Sequence, residues 1–463
     1  MTDSKAALAD LWGLAGGDPA ALERVTFTGS EPIFPTSFRI ATAAQASIGA
    51  VALAASEAWR MKTGRAQRVE VDMRHALNEY LGEDYLVIAG QSRGGLPNPA
   101  HGLHPAKNGG YVRTHTAYPA HYAAAMKVLG LPQAADKPAI RAAVAGWDAH
   151  ALEDAIYAEG GVAIAVRSPD EWNATPHGQA LTRLPAIVIE KIGEAPARLL
   201  PEGPRPLSGQ RVIDLTKVIA GPVAGRAMAA HGADVLHMQS PHLHALDWLE
   251  RDTHRGKRNA PLDLTTKDGH DTLERLVRDA DIFLQGFRPG AIAGKGFSPE
   301  HVAALRPGIV YVSLSAWGHL GPWSMRRGFD SLVQTASGYN WEEARAAGSA
   351  TPKELPCQAL DHTTGYLLAL GAIMARLRQA REGGSWLVRG ALAGTGRWIW
   401  GLGRLEGYFG VRQPTRDDLQ DLMEDRQTVW GPYRSLRHAA RMSETMPGWE
   451  LDAVPPGTHE AKW

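Results

Sequence analysis

The feature that most constrains this chain is an alternation of short apolar runs with helical segments, beginning after residue 207. RVIDL at 211–215 is an apolar strand, followed by the turn TKVIAG and an Ala-rich helix. ADVLHM is the next strand, and ADIFLQGF at 280–287 and GIVYVSLSAWG at 308–318 are two more. Between them TTKDGHDTLERLVRDA sets Leu273, Leu276 and Val277 along one helix. Apolar strands separated by helices are expected in parallel βαβ units, buried on both faces. The expected class is therefore α/β: a Rossmann-like parallel-sheet domain at about 207–345 plus a smaller α/β domain.

The segment IGEAPARLLPEGPRPLSG at 192–209 is rich in Pro and Gly and has neither helical nor strand period. It reads as a linker or a long crossing loop and divides the chain into 1–195 and 207–463. A softer break runs over 343–356. Residues 361–381 read as a buried helix, then a GGS turn and the strand WLVRGA. The N-terminal part echoes this: an Ala-rich helix at 42–62 is followed by TGRAQRVEVDM, again turn and strand. Laying Gly64 on Gly383 puts Val69 on Val388 without a gap, an echo of a repeat. Residues 110–190 then give GYVRTH, a helix from His121 to Leu129, a helical run over 137–159, and the strands VAIAVRS and PAIVIEK.

Composition removes several function classes. Lys plus Arg and Asp plus Glu both total 49, so the formal net charge is zero. A chain built to neutralise nucleic-acid phosphates would carry a basic excess, so no nucleic-acid partner is expected. The single cysteine, Cys357, excludes an intrachain disulfide and reads as a small packed hydrophobe. The N-terminus has no basic region leading into an apolar run, and no apolar stretch of about 18 residues is evident. A cytoplasmic chain without a membrane span is the expectation.

Each motif also has a plainer structural meaning. The turn IAGPVAGRAMA has Gly221 and Gly225 but no G-x-G-x-x-G, and the second strand ends in Gln239 instead of an acid, which argues against a dinucleotide site. GAIAGKG at 290–296 falls short of a Walker loop. His101 with His104, and His242 with His244, have no third ligand at metal spacing, so no metal site is assigned. HRGKRNAPLDL at 254–264 is a charged loop by composition, or a phosphate clamp through Lys257 and Arg258. GFRPG at 286–290 is a tight turn, or a ligand loop at the carboxyl end of a parallel strand. Asp361 before its helix is an N-cap by position, or a carboxylate nucleophile beside helix N–H donors. Spacing does not choose between these.

These segments, in order, resemble the signatures of family III CoA-transferases, which include formyl-CoA transferase, carnitine CoA-transferase and, as a relative, α-methylacyl-CoA racemase. The match runs over 207–395 through LSGQRVIDLTKVIAGPVAGRAMAAHGADVLHMQSP, HRGKRNAPLDL, ADIFLQGFRPGAIAGKGF and SLSAWGHLGPWSMRRGFDSLVQTASGYN. The motif LDHTTG at 360–365 resembles the block holding the catalytic aspartate, which makes Asp361 the nucleophile. The resemblance also implies CoA contacts at Lys257, Arg258, Gly286, Phe287 and Ala291. It implies an acyl-CoA and a carboxylic acid as substrates, no bound cofactor beyond the CoA thioester, and a homodimer. Gly328-Phe329-Asp330 is the transferase form of a motif that carries histidine in the racemases. Three positions depart from the family: Gly286 for asparagine, Gln239 for an acid, and Ile219 for the glutamine of formyl-CoA transferase. TGRAQRVEV at 63–71 resembles the strand signature that follows the catalytic helix, with Thr42 in place of the aspartate. Residues 1–195 thus look like a partial second copy, able to supply the small domain that the C-terminal copy lacks. The implied reaction is CoA transfer through an aspartyl intermediate, with backbone N–H groups at 362–365 as oxyanion donors. An acyl-CoA racemase or isomerase and a catalytically silent CoA-binding protein are the alternatives.

Overall fold

The computed structural model of the protein describes residues 3–95, 98–406 and 408–463. At its centre lie seven strands: β1 (Ile187–Gly193), β2 (Arg211–Leu215), β3 (Asp234–Gln239), β4 (Lys257–Pro261), β5 (Ile282–Gln285), β6 (Val310–Ser315) and β7 (Ser385–Ala391). Their spatial order is β4-β3-β2-β5-β6-β7-β1. Neighbours from β4 through β7 are parallel, and β1 closes the sheet antiparallel to β7. The sheet is apolar on both faces, as its continuous hydrophobic runs require. Val212, Val235, Leu284, Val312 and Val388 enter one core, and Ile213, Leu236, Phe283, Tyr311 and Leu387 the other. The strand order reverses between β2 and β5, and the carboxyl ends there form the usual ligand crevice of such sheets.

Five helices matter for the site: α1 (Ile40–Thr63), α2 (Gly82–Tyr85), α3 (Ala220–Ala230), α4 (Asp330–Ala336) and α5 (Ala359–Glu382). The core helix α5 packs against α3, α1 and β7. Small residues let these helices approach closely: a Cβ on Gly365 would lie 2.5 Å from the Ala220 carbonyl oxygen and 2.7 Å from Val223. The echo between the two long helices is geometrical. Both have 24 residues, and Gly64 and Gly383, one residue beyond their ends, have φ of +74° and +73°, which glycine adopts without strain.

Of the two readings of 192–209, the structure has the crossing loop, pinned to α5: the Arg376 guanidinium donates to the carbonyls of Arg198 (3.1 Å) and Leu199 (3.2 Å), and Gln379 to that of Pro196 (2.9 Å). Two expectations are corrected. The run 137–159 is two helices, Lys137–Ala145 and Ala149–Ala158, separated at Gly146 and restarted by Asp148, whose side chain accepts from the His150 and Ala151 N–H groups. Helix α1 is apolar and long enough to cross a membrane, with a window of mean hydropathy 1.2, and that window is wholly buried inside the fold.

The small domain has a sheet of Gly102–Pro105, Tyr111–Thr114 and Ala163–Ala165 beneath helices that share their own core of Met126, Ile140, Val144, Leu152 and Ile156. It docks on the segment leading into α4: Tyr157 Oη donates to the Arg327 carbonyl at 2.6 Å, and the His115 ring stacks on Phe329 at 3.7 Å. The chain end returns to the N-terminal half. Ala440–Met442 pairs with Val69–Asp72, and the hairpin of Met423–Thr428 and Gly431–Leu436 takes up Val87–Ile88.

Candidate active site

Asp361 lies at the third position of α5, not at its N-cap, which is Gln358 without a side-chain hydrogen bond. The capping is done from another element. Asp330, first residue of α4, accepts the Asp361 N–H at 2.8 Å through Oδ2 and also meets the Leu360 N–H. A carboxylate at a helix N-terminus satisfies orphan donors and meets the positive end of the helix dipole. Gln334, one turn along α4, donates to Asp330 Oδ1 and fixes its orientation.

This arrangement leaves Asp361 with an unusual carboxyl. The residue is 7% exposed, and neither of its oxygens has a hydrogen bond among the described residues. Burial first, then the charges of Asp330 and Glu83, push its pKa well above the ordinary carboxylate range. Burial also raises Asp330, to about 6, although the hydrogen bonds it accepts work against the rise. Glu83, from α2, lies 3.4 Å from His362 Nε2. Burial alone would push Glu83 up; the imidazole beside it, a backbone hydrogen bond and Arg93 together outweigh this and hold it down. Cys357, just before α5, is buried, and its thiol is pushed well up by burial and these acids, which removes it as a nucleophile.

The expected oxyanion donors at 362–365 are not available: the His362 N–H is bound to the Gln358 carbonyl at 3.1 Å, and Thr363 to Gly365 lie inside the regular helix. The expected phosphate clamp is likewise corrected. Lys257 sits in β4 with 0% exposure, its Nζ donating to Asp214 Oδ2 (2.8 Å) and the Pro222 carbonyl (2.7 Å). Burial lowers its pKa and Asp214 opposes that fall. Arg258 forms a two-pronged bond to Asp234 at 3.0 and 2.8 Å and donates to the Lys462 carbonyl at 2.6 Å. Both cations are committed within the fold.

The loop after β5 is accessible: Gly286 and Ala291 are exposed and Phe287 is half-buried, its N–H held by Gln285 at 2.9 Å. Between them stands a group that sequence reasoning passed over although its motif was noticed. Arg288 is exposed and makes no salt bridge or side-chain hydrogen bond among the described residues. It faces Arg327, whose pKa is lowered by burial and by Arg288. Two neighbouring cations without an acid suit an anionic ligand. A cavity of about 180 Å³ opens beside Arg288 at the carboxyl ends of β5 to β7, lined by Gln285, Arg288, Ser313, His319 and Arg389. In the β2–α3 turn Val218 has φ +73°, a strained conformation for a β-branched residue and of the kind found at ligand sites. Among the described residues no group of three or more His, Cys, Asp or Glu is placed to hold a metal ion.

Comparison with known proteins places this geometry in context. The family model described as CoA-transferase family III matches residues 21–195 and 207–434. An acetyl-coenzyme A transferase from Hypoxylon pulicicidum is 30% identical over 247 residues, covering 50% of this chain and 42% of that protein. A succinate–glutarate CoA-transferase from Agrobacterium fabrum is 32% identical over 203 residues, covering 40% of this chain and 50% of its own length. The chain spans about half the length of the curated relatives it matches. Among solved structures, a hypothetical protein from Mycobacterium tuberculosis aligns at 30% identity over 43% of this chain and 57% of its own, with a TM-score of 0.38.

Proposed function

The chain belongs to CoA-transferase family III, and from that premise we propose that it moves CoA from an acyl-CoA to a free carboxylic acid through a covalent intermediate on Asp361. The observation that carries the reading is the state of that carboxyl: buried, free of hydrogen bonds on both oxygens, and fixed through its own N–H by Asp330. Burial disfavours the charge on this carboxyl, so its ionised form is poorly stabilised and correspondingly ready to attack.

An Asp361 oxygen attacks the thioester carbonyl, the carbon–sulfur bond breaks, and CoA leaves as thiolate while a mixed anhydride forms. The thiolate then attacks the aspartyl carbonyl, displacing the acyl group as its carboxylate and leaving an aspartyl-CoA thioester. The acceptor carboxylate attacks this thioester, again releasing thiolate, which takes the acyl group from the new anhydride and restores Asp361. The overall exchange swaps one thioester for another of similar energy, and covalent catalysis divides the transfer into steps of lower barrier. Gly286, Phe287 and Ala291 line the approach of CoA, and Arg288 with Arg327 replaces Lys257 and Arg258 as the phosphate-facing pair.

Relatives whose names specify succinate, glutarate, formyl-CoA and oxalate support acyl-CoA and carboxylate substrates in general. We also read the chain as one complete active-site unit joined to a partial copy, with Thr42 at the position of the nucleophile. The test is incubation with acetyl-CoA, succinyl-CoA or benzoyl-CoA, followed by hydroxylamine trapping and mass spectrometry of the peptide containing residue 361. A hydroxamate on Asp361, absent in Asp361→Asn, is expected. No adduct with any of these donors, despite measurable CoA binding, would favour a silent CoA-binding protein.

A further inference from the structure

Resting on Asp361 as the nucleophile, we propose that Glu83 is a positioning residue for the reaction: with His362 it forms a buried carboxylate–imidazole pair, supplied by the N-terminal half, that controls how readily Asp361 carries its charge. Glu83 Oε2 and His362 Nε2 are 3.4 Å apart, with the two side chains 1% and 0% exposed. The pair is held on every side. The His362 ring stacks on Tyr80 at 5.0 Å, the Trp248 indole donates to the Glu83 carbonyl at 2.7 Å, and Gly82 leaves room for Asp252, whose oxygens would lie 3.0 Å from a Cβ there.

The charged groups facing this region come from several elements. Asp330 reaches it from α4, Asp84 follows Glu83 in α2, and Arg226 reaches it from α3 but is committed to Asp252. Arg93, bound to Asp84 at 2.6 Å, also favours the charged form of Glu83. Cys357 remains a neutral thiol. His362 is the group in direct contact that offsets Glu83. Glu83 Oε2 has no hydrogen-bond partner, so a buried acid is kept beside the helix residue that follows the nucleophile, balanced at contact by the imidazole and from further away by Arg93 and Arg226. Like charge near a carboxyl disfavours its ionised form, and Asp361 must be ionised to attack. Glu83 lies in the segment whose own nucleophile position is Thr42, so the partial copy contributes electrostatics to the site of the complete one.

The experiment is a difference infrared titration of the full-length protein against Asp361→Asn, reading the protonated-carboxyl band, alongside the pH dependence of adduct formation with the acyl-CoA donors above. Glu83→Gln is expected to move the midpoint of both curves to lower pH by about one unit, and Glu83→Asp to return it towards wild type. Should Glu83→Gln fail to fold, Glu83→Met removes the charge without needing a hydrogen-bond partner and must give the same displacement. A purely structural role would change yield or melting temperature and leave the midpoint in place; an unmoved or raised midpoint overturns the proposal. An adduct without a midpoint shift removes the role of Glu83 alone. A shift with no adduct from any donor removes Asp361 as nucleophile and, with it, the role in the reaction.

Discussion

At Asp361 the fold keeps a carboxyl dry, without partners on its oxygens, and close to two other acids, and this has a price in stability that can be read directly. Its folded pKa is raised above the unfolded value of about 3.9, so its contribution favours folding at low pH and is lost as pH rises through the folded value. Asp361→Asn should therefore melt at a higher temperature than wild type at pH 8, with the gap closing as pH falls towards 4, while losing all adduct formation; scanning calorimetry at several pH values checks this, and a gap constant with pH would contradict it. Asp330→Ala should cost about 1 kcal/mol through the lost cap and reduce adduct formation as well, because the first turn of α5 loses its anchor. Lys257 behaves differently. Its buried pair with Asp214 means that Lys257→Met leaves an uncompensated charge and should cost about 3–5 kcal/mol, measured by denaturant unfolding, whereas Arg288→Ala should leave stability unchanged and raise KM for acyl-CoA about tenfold, the size of a lost charge-assisted bond. Apart from the family resemblance of LDHTTG, the sequence signal for Asp361 is positional, a carboxylate at a helix start, and position alone does not separate a cap from a nucleophile. That choice depends on Asp330, which lies 31 residues upstream and meets Asp361 only once α4 and α5 have packed.

Among the elements, α5 carries the site and its crossing with α3 sets the site's depth. Gly365 lies one turn after Asp361, where a methyl group would meet the Ala220 carbonyl at 2.5 Å and Val223 at 2.7 Å. Neither is the free end of a flexible chain. Gly365→Ala should therefore push the helices apart, cost about 1–3 kcal/mol, and lower the rate of adduct formation more than it raises KM; unfolding and steady-state kinetics together test this, and an unchanged rate would show that Asp361 is held from α4 alone. The same element level shows what the sequence could and could not reveal. The strands of the sheet were legible because burial on both faces leaves an unbroken apolar run, and both long helices because their Ala-rich runs end at glycine. HRGKR was not. Its charges suggested a solvent-facing loop, yet Lys257 and Arg258 belong to β4, where Asp214 on β2 and Asp234 on β3 neutralise them. Partners that are distant in sequence decide whether a cation is free, and no local pattern reports them.

For the whole molecule, the division into 1–195 and 207–463 describes the chain but not the packing. The first part supplies β1 to the edge of the sheet, α1 to the face of α5, Glu83 to the site and the small domain against the segment before α4; the second part returns a strand and a hairpin to the first. The sequence could show two similar helices and, by resemblance, that the first part was able to supply a small domain to the second. It could not show which strands join the pieces, because pairing such as that of Ala440–Met442 with Val69–Asp72 joins residues more than 350 positions apart and follows from no local signal. The helix starts retain the same hydrogen bond: the Thr42 N–H goes to Glu31 at 3.1 Å, as that of Asp361 goes to Asp330 at 2.8 Å. On the proposal that Asp361 is the nucleophile, Thr42 holds the matching place without a carboxyl, so intact-mass analysis should find one aspartyl adduct per chain and never two. The continuity of the chain should also matter little once it has folded. A protease site inserted at Glu202–Gly203, within the exposed part of the connecting segment, should yield two fragments after cleavage that stay together on size exclusion and still form the adduct, since the β1–β7 pairing and the Arg376 bonds to Arg198 and Leu199 join one fragment to the other across the cut. Separation of the fragments without denaturant would mean that the two parts touch without forming a shared core, and the composite site would then have no physical basis.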